Sequence, residues 1–301
     1  MSDLKIPELS YIDIKQGNKA ALTKLEHALK EYGFFSFVEH GLDNKLLSKS
    51  YTLSKDFFDL SADTKNQYAH PENAGARSYT PYGKETALGE VTPDQKEFWH
   101  HGPIVDATYD DRIHANIKVK EIEDFNNNFN ELFTALNNLG MDVLKIIAKL
   151  LNKDANFFTP WVEKGNSLLR LIHYPPVTDN SNNLRARAHE DINLITLLVG
   201  AEESGLEVKS KKGEWVPIKA SSNAIVCNIG DMMQLVTDGM LLSTTHRVMN
   251  YESRVAKSRY SIPFFLHPSP NIELTSILKE SDKSISAHDF LDERLKAIKL
   301  Y

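Results

Sequence analysis

Three side chains in this sequence can meet on one metal ion: His189, Asp191 and His246. His189 and Asp191 stand two residues apart in residues 185–198, at the mouth of an apolar, β-favouring run. On a strand, side chains at i and i+2 share a face about 6.5 Å apart along the chain, so an imidazole and a carboxylate can grip one ion together. His246 opens a second β-favouring run and would complete a set of two histidines and one carboxylate. That set leaves up to three adjacent positions of an octahedral ion open, which suits non-haem Fe(II) that must bind O2 and a substrate together. Thirteen residues further on, Arg259 and Ser261 again stand at i and i+2. An arginine among Tyr260, Ile262, Phe264 and Phe265 is costly to bury unless its planar fork meets an anion, and the serine adds a further donor. Tyr174, just before two prolines, can give another hydroxyl to the same anion. Taken singly, His246 suits an ordinary core histidine, Arg259 an arginine paired to a protein carboxylate, and Tyr174 a core tyrosine. Their common order along the chain is what argues for a site.

These residues need a scaffold, and the hydrophobic pattern supplies one. Short apolar runs bounded by turn residues cover residues 168–174, 193–198, 206–208, 215–218, 224–228, 232–236, 246–250 and 259–266. Eight short strands at this spacing predict a double-sheet jelly roll or barrel. Ahead of them, Ile122, Phe125, Phe129, Leu132, Leu136, Leu139, Val143, Ile147 and Leu150 recur at threes and fours, predicting a long core-facing helix over 119–151, with a bend at Gly140. The N-terminal part predicts a strand over 6–14, a helix over 18–32 stopped by Gly33, a strand over 34–38 and a helix over 44–60. Residues 68–115 are rich in turn formers. A last helix is expected over 286–299. The fold class is thus α+β with a β-rich core, read as a single compact unit over 1–301: an N-terminal α/β region (1–115), a support helix (116–155), a catalytic β core (160–270) and a helical tail (271–301).

Composition narrows the partners. Of 301 residues, 41% are hydrophobic and 25% charged, ordinary for a protein with a packed core. A formal net charge of −6 argues against a general nucleic-acid partner. One cysteine, Cys227, excludes an internal disulfide and a thiolate cluster, which fits a reducing, cytoplasmic location. There is no signal-like N-terminus and no apolar run long enough to span a membrane.

The motif order resembles a known family. His189-Glu-Asp191, Gly205-Leu-Glu-Val208, Trp215-Val-Pro217, Asn228-Ile-Gly-Asp231, His246-Arg-Val248 and Arg259-Tyr-Ser261 follow the pattern of the iron(II)/2-oxoglutarate-dependent oxygenases, in particular the isopenicillin N synthase-like group. Ile6-Pro7 with Ile12-Asp13, Gly33-Phe-Phe35, His40-Gly41 and Asp94-Gln-Lys-Glu97 resemble that group's N-terminal region, so the resemblance covers nearly the whole chain. It implies a distorted double-stranded β-helix (jelly roll) in which His189, Asp191 and His246 bind Fe(II). Arg259 and Ser261 would then hold the distal carboxylate of 2-oxoglutarate, with Tyr174 assisting, while O2 and a small-molecule substrate complete the reaction. Two departures stand out. As in isopenicillin N synthase itself, Glu190 lies between the metal ligands, where many relatives carry a small hydroxyl residue, and Ile172 replaces an asparagine common two residues before the tyrosine. Isopenicillin N synthase uses no 2-oxoglutarate, so three readings stand: a 2-oxoglutarate-dependent dioxygenase, an oxidase using Fe(II) and O2 without the keto acid, and a non-catalytic metal-containing β-roll. Arg187 is expected on the face of His189, in reach of an acidic group on the substrate. His100 and His101 are adjacent and should face opposite ways, His40 belongs to a structural turn, and Cys227 packs as a small core residue.

Overall fold

A computed structural model describes residues 6–70, 75–85, 93–176, 184–200, 205–249 and 257–297. The chain opens with strand β1 (Glu8–Ser10) and helices α1 (Tyr11–Gln16) and α2 (Lys19–Glu31). The strand expected over 6–14 is therefore cut short. The Ser10 hydroxyl accepts the Asp13 amide and caps a helix there, ending the extended chain. Next come β2 (Phe34–Val38), α3 (Asn44–Phe58), α4 (Ala62–Asn66), β3 (Tyr79–Thr80) and β4 (Glu97–His101). The long helix α5 (Phe125–Leu150) follows, then α6 (Thr159–Val162). The expected stripe of α5 is buried from Phe125 to Ile147. At Gly140 an added Cβ would lie 3.1 Å from Leu266 Cδ2, so the glycine lets the helix approach the sheet.

The β core comprises β5 (Leu168–Tyr174), β6 (Leu184–His189), β7 (Ile195–Val199), β8 (Leu206–Lys209), β9 (Trp215–Pro217), β10 (Ile225–Ile229), helix α7 (Asp231–Val236), β11 (His246–Met249) and β12 (Arg259–Leu266). Two short strands, β13 (Glu273–Leu274) and β14 (Ile285–Ser286), precede α8 (Ala287–Ala297). Asn250 and residues 298–299, included in the expected strand and helix, lie outside the described residues. An eight-stranded sheet runs β1-β2-β10-β7-β12-β5-β4-β3 and faces a four-stranded sheet, β6-β11-β8-β9.

The two faces of the large sheet divide the labour. Leu169, Leu171, Ile262, Phe264 and Leu266 belong to the main core cluster with α5, which reaches from Leu9 to Phe290. The alternate residues Ile172 and Tyr174 join Phe34, Phe98, Val226, Leu206 and Val248 in a second cluster between the sheets. This period-two partition is the jelly roll's sorting rule. One expected strand is a helix. Residues 232–236 form part of α7, whose first amides donate to the segment between β6 and β7: Asp231 N to Asp191 O (2.7 Å) and Met232 N to Ile192 O (3.2 Å). A short apolar run cannot by itself distinguish the two states, and here the available carbonyls decide.

Candidate active site

The run at residues 185–198 is two strands rather than one. β6 ends at His189 in the small sheet, β7 begins at Ile195 in the large sheet, and Asp191 sits in the crossover between them. His246 starts β11, directly opposite His189 in the antiparallel pair. His189 and Asp191 are thus joined by a chain that changes sheets, not by a shared strand face. One ligand atom from each of His189, Asp191 and His246 lies within 4.8 Å of the others. Asp191 Oδ1 is 4.0 Å from His189 Nε2 and 3.8 Å from His246 Nε2.

Every other polar atom of the triad is already committed. His189 Nδ1 is 2.7 Å from the Arg187 carbonyl and His246 Nδ1 is 3.1 Å from the Thr244 carbonyl, so each Nδ1–H donates to backbone and each Nε2 keeps its lone pair. Asp191 Oδ2 accepts from Thr196 Oγ1 at 2.6 Å and Asn228 Nδ2 at 2.8 Å, leaving Oδ1 turned to the imidazoles. Burial, with the neighbouring His246, pushes the His189 imidazole down to about 4, so it is neutral at pH 7 and ready to bind. Burial alone would raise the Asp191 carboxyl. The imidazoles of His246 and His189 and the Thr196 and Asn228 donors outweigh it and hold the group below the usual carboxylate range. Two imidazole nitrogens and one carboxylate oxygen converging from one side fit an Fe(II) ion.

Two glycine and asparagine positions explain the local geometry. Gly230 packs so closely on the crossover that an added Cβ would lie 2.2 Å from the Asn193 carbonyl oxygen. Asn193 Nδ2 in turn bonds Ile195 O (2.8 Å) and Thr196 Oγ1 (3.1 Å), closing the turn behind Asp191. Thr196, Asn228 and Gly230 are functional positions that sequence reasoning did not assign. Asn228 and Gly230 lay within the Asn228-Ile-Gly-Asp231 motif, but nothing in that motif says which atom it serves.

The triad opens into a cavity of about 790 Å³ between the sheets, a size ordinary for small-molecule sites. Arg259, Ser261 and Tyr174 line it as well. Arg259 lies directly across from Tyr174 and Ser261 across from Ile172 in the β12–β5 pair, and the guanidinium carbon stands 5.2 Å from the Tyr174 ring centre. All three are buried. Glu190 lines the cavity too, hydrogen-bonded by Thr245. Lys96, within the Asp94-Gln-Lys-Glu97 motif, is buried in the same wall and bound to Glu85 Oε1 (2.6 Å) and Asp94 Oδ2 (3.0 Å). These carboxylates raise its pKa despite burial.

Arg187 falls outside this lining. Ala186 and Ala188 line the cavity, whereas Arg185 and Arg187 do not. The parity expectation fails because β6 bulges: His246 pairs His189, but two residues on Val248 pairs Ala186, three residues back. Arg185 instead donates to the Lys257 carbonyl (2.8 Å). His100 lines the cavity and His101 bonds Asn130 (2.8 Å), as expected of opposite faces. His40 bonds the Asn223 carbonyl (2.8 Å) and receives the Leu42 amide, a turn role, and Cys227 is buried in the core.

Comparison with known proteins points the same way. The sequence model of the 2OG-Fe(II) oxygenase superfamily matches residues 165–268, and that of the "non-haem dioxygenase in morphine synthesis N-terminal" family matches residues 7–121. A 2-oxoglutarate-Fe(II) type oxidoreductase of Metarhizium rileyi is 30% identical, with 90% of this chain and 84% of that protein covered. Among solved structures, a 2OG-Fe(II) oxygenase family protein from Caulobacter crescentus is 38% identical at TM-score 0.89, covering 97% of this chain and 99% of that one. A Neurospora crassa protein solved in complex with alpha-KG and 5-formyluracil is 26% identical at TM-score 0.85, covering 98% of this chain and 97% of that one.

Proposed function

The chain belongs to the 2OG-Fe(II) oxygenase superfamily, and on that premise we propose that His189, Asp191 and His246 hold Fe(II) while Arg259 and Ser261, with Tyr174, hold the distal carboxylate of 2-oxoglutarate. The observation that carries this reading is that the two constellations open into one cavity. Held by these residues, Fe(II) and the keto acid would supply the chemistry that couples reduction of O2 to oxidation of a second molecule, with 2-oxoglutarate converted to succinate and CO2. The chain's own residues do the rest. The Nδ1–carbonyl bonds fix both imidazoles in the tautomer that presents Nε2. Thr196 and Asn228 stop the Asp191 carboxylate from rotating, so one oxygen always faces the ion. Arg259 offers a planar fork and Ser261 a hydroxyl, which orient the keto acid before reaction and remove its rotational freedom from the barrier. Phe34, Leu198, Val226 and Val248 wall the cavity with apolar surface and limit water around the reacting groups.

The substrate is a small molecule, and the outcome is hydroxylation, desaturation or ring chemistry. The motifs in both halves of the chain favour the isopenicillin N synthase-like group within the superfamily. Among the described residues no helix is long and apolar enough to cross a membrane; the single cysteine favours a reducing, cytoplasmic setting, and we read the chain as one unit. Glu190 favours a second reading, oxidation without the keto acid, in which Arg259 and Ser261 bind a substrate carboxylate. Anaerobic addition of Fe(II) and 2-oxoglutarate should give a weak visible charge-transfer band, and substrate should release one succinate per product. Product without succinate would transfer the chain to the second reading; neither band nor product would leave a metal-containing β-roll without catalysis.

A further inference from the structure

The inner face of the large sheet lays out the cavity wall in steps. Along the antiparallel β12–β5 pair, Arg259 faces Tyr174, Ser261 faces Ile172 and Phe265 faces Leu168. His267 and Asn166 continue this wall two residues beyond, where the Asn166 amide bonds the Pro268 carbonyl. Eight residues of strand separate Arg259 from His267, roughly 25 Å at about 3.3 Å per residue. The far end is therefore remote from the anion site assigned to 2-oxoglutarate.

That end holds a buried cation. Arg77 lines the cavity, is 3% exposed, and donates from Nη2 to Asn166 Oδ1 at 2.7 Å. Among the described residues no carboxylate pairs with it. Two other cations of the cavity lining are answered by carboxylates: Lys96 by Glu85 and Asp94, and Arg170 by Glu85 at 3.1 Å with its guanidinium 4.2 Å over the Phe98 ring. Burying a charge without a counter-ion is costly, so such a group is expected where a ligand supplies the opposite charge. Burial lowers the Arg77 pKa only to about 10, and it stays cationic at neutral pH.

The surroundings are built around this side chain. Arg77 takes a left-handed backbone at φ +59°, a strained conformation for a residue with a long side chain. Gly102 admits its guanidinium: an added Cβ would lie 1.9 Å from Arg77 Nε. His267, also in the lining, is 7% exposed, and its buried Nδ1 meets no hydrogen-bond partner among the described residues.

We propose that the primary substrate is a small carboxylate whose carboxyl group pairs with Arg77 at the end of the cavity remote from Arg259, with Asn166 and His267 as further contacts. This rests on the oxygenase reading above and adds the substrate's chemical class and orientation to it. The acid end is anchored in the far wall, which leaves the rest of the molecule to extend toward the triad.

The test is binding rather than turnover. Protein loaded with Mn(II) and saturating 2-oxoglutarate, so that Arg259 is occupied, is titrated calorimetrically with small aliphatic, aromatic and amino monocarboxylates, each beside its primary amide. At least one acid should bind, and its amide about tenfold more weakly or worse. Arg77→Met should erase that preference with 2-oxoglutarate affinity unchanged. Should Arg77→Met not fold, Asn166→Leu should weaken the acid about tenfold and leave the amide alone. No acid binding, equal binding of acid and amide, or displacement of 2-oxoglutarate by every acid that binds would each overturn the inference. If 2-oxoglutarate itself does not bind the Mn(II) protein, the oxygenase reading falls and this inference with it.

Discussion

Thr196 and Asn228 both donate to one oxygen of Asp191, so the carboxylate proposed as a metal ligand is held from behind by two groups on its other oxygen. Thr196→Val keeps the shape and removes one donor. It should weaken Mn(II) or Fe(II) binding about tenfold to hundredfold, read by calorimetry, with little change in the circular dichroism spectrum. Unchanged metal affinity would mean that Asp191 needs no such support. Arg259→Ala should raise the apparent Kd for 2-oxoglutarate about 10- to 100-fold, the worth of charge-assisted hydrogen bonds, and leave metal binding intact. An unaltered keto-acid affinity would instead favour the substrate-carboxylate use of the Arg-x-Ser pair. Arg187→Ala should leave turnover and 2-oxoglutarate affinity at the parent level, since the bulge in β6 puts the two alanines in the cavity wall. A loss of turnover would return Arg187 to the substrate site. Residue types and order were enough to pick out the triad and the Arg-x-Ser pair. Thr196 and Arg77 carried no signal, because their roles depend on partners at sequence separations that no local pattern records.

At the level of elements, the crossover from β6 to β7 and the start of α7 form one device. Asp231 N bonds the Asp191 carbonyl, and Gly230 lets the two segments touch. Gly230→Ala must push the Asn193 carbonyl aside. It is expected to cost about 1–3 kcal/mol in urea unfolding and to weaken metal binding at the same time. Gly140→Ala in α5 meets only side-chain methyls, Leu266 Cδ2 at 3.1 Å and Leu197 Cδ1 at 3.6 Å among them, and gains helix propensity of about 1 kcal/mol. Its stability should stay within about 1 kcal/mol of the parent. Equal losses in the two variants would show that the close contact at Gly230 is not what shapes the crossover. The long helix and the strands at Phe34–Val38, Leu168–Tyr174 and Arg259–Leu266 were legible from periodicity, since each buries a full stripe or face. α1 and α7 were not. Each is six residues long, too short for a period to show, and each forms where a cap or a foreign carbonyl happens to serve its first turn.

For the whole molecule, several histidines are buried in neutral form, and this sets an acid limit on stability. Burial pushes His101 down to about 4 and His267 to about 3, against a usual value of 6.5. Above pH 6.5 folded and unfolded chains are both neutral at these groups, and pH has no effect through them. Below it the unfolded chain takes up protons that the fold refuses, so stability falls as pH drops from 6.5 toward 4. The Tm of metal-free protein should decline steadily over that interval, and His101→Gln should flatten part of the decline. A Tm independent of pH between 6.5 and 4 would contradict the neutral burial of these side chains.

The sequence by itself determined the fold class and singled out His189, Asp191 and His246 as a candidate metal set and Arg259 with Ser261 as a candidate anion pair, because period-two and 3.6-residue hydrophobic patterns and residue chemistry are local properties. Only the tertiary structure decided that His189 ends one sheet while Asp191 sits in the crossover to the other, which oxygen of Asp191 turns to the imidazoles, and which arginines enter the cavity. Those facts follow from a bulge, a crossover and a glycine contact. Each is a consequence of how distant backbone segments pack, and none leaves a mark on the order of residues.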